Sequence, residues 1–245
     1  MNCSRRMFVQ LACAGAVVAT GAIPAVAEDL GAALAVPPDS LLLHVDSSAP
    51  AAFIEGAKRT LAAAGFANSR TVVTDGSRID LVAESAVWLA ARPGRRLIGM
   101  VRDSDAVVLQ QLARDGGLRW LSIGHHGLGG GAAIESRHQM TLLDTNRGLA
   151  GLIAADLAAE GASFLVTETP VGAEIARGSS ILSDAVTPAS RSGAPGWGGT
   201  LAEALVLIAA GRWPDQPPGV ARRYAGFGTR SGIGGGPLTS FVIAS

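Results

Sequence analysis

Residues 41–48 read Leu-Leu-Leu-His-Val-Asp-Ser-Ser, a short apolar run followed at once by an acid and two hydroxyls. The apolar run has the length of a buried strand. Residues 51–64 after it have the apolar spacing of a helix, and Gly65 stands where a helix C-cap residue is expected. A strand, a short polar turn and a helix in this order predict the β-α unit of an α/β fold.

The same unit recurs twice more along the chain, and a fourth apolar run follows. The predicted strands cover residues 71–74, 97–101 and 118–123, and the predicted helices cover 79–91 and 106–114. The apolar runs do not alternate with polar residues as the strands of a half-solvated antiparallel sheet would. They therefore favour a parallel sheet that is covered by helices on both faces.

The second half of the chain is less regular. Its predicted elements are a glycine-rich loop over 124–131, strands over 139–143, 163–167 and 238–243, and helices over 146–159 and 201–210, with Gly/Pro/Ser-rich segments at 187–199 and 213–237. We expect residues 28–245 to form a single Rossmann-like, three-layer α/β domain. Its sheet is predicted to be mostly parallel, with helices on both faces and a loop-rich C-terminal half.

Residues 1–27 resemble a bacterial twin-arginine (Tat) export signal. The segment Ser4-Arg5-Arg6-Met7-Phe8 has the arginine pair and the following phenylalanine of that signal, and an uncharged apolar stretch over 11–26 follows. Ala25-Val26-Ala27 has the small residues of a cleavage site, so the mature chain is expected to start at Glu28. The stretch is short for a membrane span and contains two glycines and a proline, which argues against a stable membrane anchor.

Cleavage after Ala27 would remove both cysteines, Cys3 and Cys13, so the mature chain could form no disulfide and use no cysteine ligand. It would also leave two more acidic than basic residues, which does not suggest nucleic acid as a partner. The resemblance implies export through the Tat translocase to the periplasm. Cargo of this route crosses the membrane already folded, so a periplasmic redox enzyme or a small-molecule ligand is the expected partner.

Three polar segments follow the first three predicted strands and make up the first candidate ligand site. Asp46-Ser47-Ser48, Asp75-Gly76-Ser77 and Asp103-Ser104-Asp105 would lie at one edge, because the carboxyl ends of parallel strands meet there. Their carboxylates could hold a cation or bind sugar-like hydroxyls. The alternative, which the residue types favour, is that these Asp and Ser side chains only cap the helices that follow.

A second candidate site is a divalent metal centre. His125 and His126 follow the fourth predicted strand, so the same edge would bring them near Asp46 and Asp103. Glu135 and His138 are three residues apart and would share one face of a helix. Imidazole and carboxylate groups are ligands for zinc, iron, copper or manganese, so these four residues are the candidate metal ligands, although their spacing is a weak pattern.

The remaining aromatic and imidazole side chains divide into core and ligand candidates. His44 lies inside the first strand, where a hydrogen-bonded core histidine is more usual than a ligand. Trp88 on a helix and Trp120 in a strand are predicted to be core residues. Trp197 lies in a glycine-rich segment that is predicted to be a loop or lid, so it is the tryptophan expected to contact a ligand or partner.

These observations lead to two main hypotheses. The first is an exported periplasmic accessory or ligand-binding protein with a Rossmann-like core, which could assist a redox enzyme. The alternative is a metal-dependent periplasmic hydrolase that uses a His/Glu/Asp site at the carboxyl edge of the sheet. A two-lobed solute-binding protein is a third hypothesis, but the chain is short for two lobes. The chain contains no Gly-x-Ser-x-Gly or His-Glu-x-x-His motif, and its glycine spacing does not fit the dinucleotide fingerprint.

Overall fold

A computed structural model describes residues 40–66, 69–131, 134–142, 148–170, 182–185, 196–212, 222–226 and 237–245. The predicted export signal, residues 1–27, lies outside the described residues. The helices are α1 (Ala51–Ala63), α2 (Ile79–Ala90), α3 (Asp103–Asp115), α4 (Leu149–Ala159) and α5 (Gly196–Ala209). The strands are β1 (Ser40–Asp46), β2 (Ser69–Thr74), β3 (Arg95–Arg102), β4 (Arg119–Gly131), β5 (Ile134–Leu142), β6 (Phe164–Pro170), β7 (Leu182–Ala185), β8 (Arg222–Gly226) and β9 (Leu238–Ala244).

The described strands form one sheet in the order β2-β1-β3-β9-β4-β5-β6-β8-β7. The chain runs from β1 through α1 to β2 on one side, and then through α2 to β3 on the other side of β1. The parallel pairs are β1–β2, β1–β3, β5–β6 and β7–β8. The antiparallel pairs are β3–β9, β9–β4, β4–β5 and β6–β8. The protein is therefore an α/β protein with a mixed sheet.

The expectation of a mostly parallel sheet is wrong for the sheet as a whole, although it holds for β1, β2 and β3. The main reason is β9, which enters the middle of the sheet and runs antiparallel to both β3 and β4. All seven residues of β9 are buried. A strand with two partners and two covered faces reads as the same apolar run whether its neighbours are parallel or antiparallel, so its direction was not visible in the sequence.

Helices cover both faces of the sheet, as predicted. Leu41, Leu43 and Val45 of β1 pack in one core cluster with residues of α1, α4 and α5. Leu42 lies in the other cluster, with residues of α2 and α3. Successive side chains of a strand point to opposite faces, so the uninterrupted apolar run of β1 supplies both cores.

The segment around Trp197 was predicted to be a loop or lid, and this prediction is wrong. Residues 196–199 form the first turn of α5, and Trp197 is buried. Glycine is poor in a helix, but here it allows close packing: a Cβ on Gly56 of α1 would lie 2.9 Å from the carbonyl oxygen of Gly199. The glycines of this segment therefore bring α1 and α5 together.

The hairpin of β4 and β5 corrects two further predictions. Residues 124–131 were expected to form a glycine-rich loop but continue β4, where Gly124 pairs with Met140 of β5. Residues 135–138 were expected to be helical but belong to β5. Glycine weakens a strand, but β9 and β5 both pair with β4 as far as His126, and β5 alone continues the pairing to Gly131.

Candidate functional site

The polar residues that follow β1, β2 and β3 lie at one edge of the sheet and bind one another. Ser47 Oγ, after β1, donates a hydrogen bond of 3.0 Å to Asp75 Oδ1, after β2. Ser77, also after β2, donates from its hydroxyl to Asp105 Oδ1 in the first turn of α3. These two hydrogen bonds join three segments that are far apart in sequence. We call this set of polar residues at the carboxyl ends of β1, β2 and β3 the carboxyl edge.

Helix capping, the role that the residue types favoured for these aspartates and serines, is not what the structure shows. The N-cap residues of α1, α2 and α3 are Pro50, Arg78 and Arg102, and none of the three makes a side-chain capping bond. The carboxylates instead accept hydrogen bonds from side chains of other loops and strands, together with local bonds from Ser48. Their arrangement is therefore a network between strands rather than a set of separate caps.

Asp46, at the end of β1, is fully buried and is held from two directions. Its Oδ1 accepts the backbone N–H of Ser48 at 2.8 Å and the Ser48 hydroxyl. Its Oδ2 lies 3.2 Å from Nε of Arg102, the last residue of β3. A buried carboxylate needs a charged partner or several donors, and Asp46 has both. The Asp46–Arg102 ion pair spans the boundary between β1 and β3.

A second branch of the carboxyl edge reaches β4 through the C-terminal strand. Thr239 of β9 donates its hydroxyl proton to Asp103 Oδ1 at 2.6 Å. His125 Nδ1 lies 3.1 Å from the same threonine oxygen. Because the single hydroxyl proton goes to Asp103, His125 Nδ1 carries a proton and donates to Thr239. Thr239 thus connects two predicted site residues, His125 and Asp103, that do not contact each other directly.

His44 lies beneath the edge and is 2% exposed. Its Nδ1 is 2.8 Å from the hydroxyl of Ser85 on α2. Burial lowers the pKa of His44, and the nearby carboxylates Asp105 and Asp46 oppose this shift. The core role that was favoured for His44 is therefore consistent with its burial, but the imidazole also lies in the electrostatic field of the edge.

His126 and His138 form a different cluster on the face of the sheet that α5 covers. Their Nδ1 atoms are 2.9 Å apart, and His126 Nε2 is 2.8 Å from the hydroxyl of Ser240. The Trp197 ring packs against both, with centroid distances of 5.5 Å to His126 and 4.5 Å to His138. Trp197 thus contacts two of the predicted site histidines from within the core, rather than from a loop.

Burial controls the protonation of this histidine pair. Desolvation lowers the pKa of His138 to about 4. Desolvation also holds the pKa of His126 well below its usual value, and the neighbouring imidazoles of His138 and His125 act in the same direction. The pair is therefore neutral at neutral pH, with one shared N–H between the two Nδ1 atoms.

The structure does not bring the predicted metal ligands together at the edge. His125 and His126 are adjacent in β4, so they point to opposite faces of the sheet. His126 does meet His138, but the described residues contain no group of three or more His, Cys, Asp or Glu side chains placed to hold a metal ion. Glu135 lies in β5, not on a helix face shared with His138, and its side chain is outside the part that the structure describes.

Trp88 and Trp120 are partly buried against the cluster of α2 and α3, as expected for core residues. The Trp120 ring meets Phe241 of β9 edge to face, with centroids 5.9 Å apart. The guanidinium of Arg95 lies 4.7 Å from the centroid of the Trp88 ring. Neither tryptophan lies in the polar network of the carboxyl edge.

Several buried polar residues had no signal in the sequence. Ser85, Thr239 and Ser240 hold the three histidines His44, His125 and His126 respectively. Each lies in a helix or strand among apolar residues. Its role is recognised only from its histidine partner, which is at least 41 residues away along the chain. Asp105, in contrast, was visible in the sequence as the last residue of the polar segment Asp103-Ser104-Asp105.

Comparison of the chain with family models, with curated proteins and with solved structures gives no match. Among the described residues, no helix is both long and apolar enough to cross a membrane. The site is therefore interpreted from its own geometry and chemistry.

Proposed function

We propose that this protein is exported by the twin-arginine route and acts in the periplasm as a ligand-binding accessory protein with a Rossmann-like half. Its small-molecule site in this proposal is the carboxyl edge of β1, β2 and β3. A redox enzyme is the partner class suggested by an export route that carries folded cargo. The observation that carries the proposal is the hydrogen-bonded network that joins the loops after β1 and β2 to the start of α3.

The strand order supports this location. In open α/β sheets, ligands bind outside the carboxyl ends of the strands, at the point where the chain changes direction across the sheet. Here that point lies between β1 and β3, because β2 was added on one side of β1 and β3 on the other. The Asp46–Arg102 ion pair stands at this boundary. The Rossmann-like description applies in the proposal to β1, β2 and β3 with α1 and α2.

The charges at the edge favour some ligand classes over others. Asp46, Asp75, Asp103 and Asp105 bring four carboxylates to the network, and Arg102 brings a guanidinium. An anionic ligand would meet repulsion there. A cationic or polyhydroxylated small molecule could instead donate hydrogen bonds to carboxylate oxygens.

The ligand site is tested by thermal unfolding of the mature chain with a panel of cationic, polyhydroxylated and anionic small molecules. A ligand of the first two classes should raise the unfolding midpoint. Asp75→Asn should weaken that ligand's affinity about tenfold. Asp80→Asn is the matched control, because Asp80 is an exposed aspartate of α2 that binds Arg78. Stabilisation only by anions, or equal affinity in both variants, would refute the assignment.

Export is tested separately by changing Arg5 and Arg6 to lysine. Because the twin-arginine pathway reads the arginine pair, the variant should accumulate in the cytoplasm while the wild-type chain reaches the periplasm. Cell fractionation followed by mass determination of the mature N-terminus measures both location and cleavage. Equal periplasmic amounts of the two forms would contradict this part of the proposal.

The metal-dependent hydrolase is kept as a second candidate because of the 2.9 Å approach of the two Nδ1 atoms in His126 and His138. Two imidazoles on one face could supply part of a metal site. Elemental analysis of the periplasmic protein tests it, with His126→Gln as the variant and His125→Gln as the control. Stoichiometric metal that only the first variant loses would favour the hydrolase, and metal-free wild-type protein would exclude this site.

A further inference from the structure

Two buried hydrogen-bonding atoms beneath the carboxyl edge have no partner among the described residues. They are Nε2 of His44 and Oδ2 of Asp105. His44 is 2% exposed and Asp105 is 1% exposed, so neither atom reaches bulk water. Buried polar groups are hydrogen-bonded in the great majority of proteins, so such an atom calls for an explanation.

The hydrogen bonds of Ser85 decide whether Nε2 of His44 is a donor or an acceptor. The Ser85 hydroxyl has a single proton, and it donates this proton to the carbonyl oxygen of Leu81 at 2.9 Å. His44 Nδ1, 2.8 Å from the same hydroxyl, must therefore carry a proton and donate it. In the neutral imidazole, Nε2 is then left with a lone pair, so it is an acceptor.

Oδ2 of Asp105, the second atom without a partner among the described residues, is also an acceptor. The Oδ1 atom of Asp105 accepts the hydroxyl proton of Ser77, and its Oδ2 atom has no donor. An imidazole lone pair and a carboxylate oxygen cannot satisfy each other without an added proton. What would satisfy both is a group with at least two N–H or O–H donors.

The surrounding charges favour a positively charged donor. Asp105 and Asp46 both act electrostatically on His44 and stabilise positive charge there. Asp46 already accepts hydrogen bonds from Ser48 and Arg102, so its oxygens are engaged. Among the described residues, the side-chain donors to Asp105 are the hydroxyls of Ser77 and Ser104, and none is cationic. A positively charged N–H donor would therefore complement both the charge and the hydrogen-bonding capacity of this place.

We propose that the ligand of the carboxyl edge is a small primary amine, whose ammonium group binds between His44 Nε2 and Asp105 Oδ2. This inference rests on the proposed ligand-binding function and names its ligand class. The ammonium group donates to both acceptors and leaves a third N–H for water or the rest of the ligand. Ser77, whose hydroxyl donates to the other oxygen of the same carboxylate, is exposed, so this side of Asp105 lies next to the protein surface.

The experiment compares 2-aminoethanol with ethylene glycol, which differ in the ammonium group but have nearly the same size. The probes are titrated into the mature chain with ¹⁵N-labelled histidine, and the Nε2 resonance of His44 is followed by NMR. 2-Aminoethanol should shift this resonance in a saturable way and bind at least about tenfold more tightly than ethylene glycol.

Asp105→Asn is the test variant, since it removes the charge with little change in shape. It should weaken 2-aminoethanol binding at least about tenfold. Asp115→Asn is the matched control, because Asp115 stands at the other end of the same helix and accepts a hydrogen bond from Gln111. Its affinity should equal that of the wild-type chain. His44→Gln is a second variant in case the first does not fold, and it should also weaken binding.

Equal binding of the two probes, no shift of the His44 resonance, or unchanged affinity in Asp105→Asn would overturn the amine assignment. The proposed function would survive these results if another ligand still bound in an Asp75-dependent way. If no ligand of the wider panel bound at the edge, the proposed function itself would fail. The two failures are therefore distinguishable.

Discussion

Lowering the pH should destabilise the protein through the buried pair of His126 and His138. An unfolded histidine has a pKa near 6.5, whereas burial lowers the pKa of His138 to about 4. Below pH 6.5 the unfolded chain therefore binds a proton that the folded chain does not accept. The stabilisation is complete above pH 6.5 and is lost as the pH falls towards 4.

The size of this effect follows from the separation of the two pKa values. One pKa unit corresponds to about 1.4 kcal/mol, so the contribution of His138 falls by about 2 kcal/mol at pH 5 and about 3 kcal/mol at pH 4. His126 acts in the same direction, since its pKa is also lowered by burial.

The assay is urea unfolding at pH 7, 6, 5 and 4, with the free energy of unfolding taken by linear extrapolation. His138→Gln lacks the titrating imidazole and should show a smaller loss between pH 7 and pH 5, by about 2 kcal/mol. His125→Gln is the comparison variant: His125 is exposed and acts on His126 only as the smallest of the three causes that lower its pKa, so this variant should keep most of the wild-type loss. Parallel curves for the wild-type chain and His138→Gln would refute the reasoning.

Two further substitutions test the packing of the core. Gly99→Ala should destabilise the protein by at least about 1–3 kcal/mol, because the new Cβ would lie 2.1 Å from the carbonyl oxygen of His44. Gly127→Ala meets no atom within 4 Å and should have little effect, so equal unfolding midpoints for the two variants would contradict this. Thr200→Val removes the hydroxyl donor to the buried carboxylate of Asp156 and should cost about 1–3 kcal/mol in chemical unfolding. An unchanged free energy of unfolding would show that Asp156 does not depend on this donor.

The first half of the fold was predictable because its strands and helices are short and are separated by polar turns. The apolar run before Asp46 became β1, and the predicted strands over 71–74 and 97–101 became β2 and β3 with bounds a few residues wider. Each strand is followed by a polar turn and a helix, so local spacing contained the information. The gathering of Asp46, Asp75 and Asp103 at one edge followed from parallel strands alone.

The second half was less predictable because its local signals were misleading. Five glycines in residues 124–131 predicted a loop, yet pairing with β5, and with β9 as far as His126, keeps this segment in a strand. Three glycines around Trp197 also predicted a loop, yet close packing against α1 makes them the start of a helix. In both places a tertiary contact outweighed the conformational cost of glycine.

The candidate site was only partly visible for the same reason. His125 and His126 were singled out together, but adjacent strand residues face opposite sides, and the two imidazoles belong to different clusters. Thr239 and Ser240 each hold one of them and lie 114 residues farther along the chain. No spacing rule connects residues at that separation.

By itself the sequence determined the features that depend on neighbouring residues: the resemblance of residues 1–27 to an export signal, the repeated β-α units and the acidic edge that follows them. The tertiary structure decided the order and direction of strands, the central place of β9 and the pairing of His126 with His138 beneath Trp197. The physical reason is that periodicity and turn residues act over a few positions of the chain. The partner of a buried strand is instead selected by the packing of the whole sheet, to which residues more than a hundred positions apart contribute.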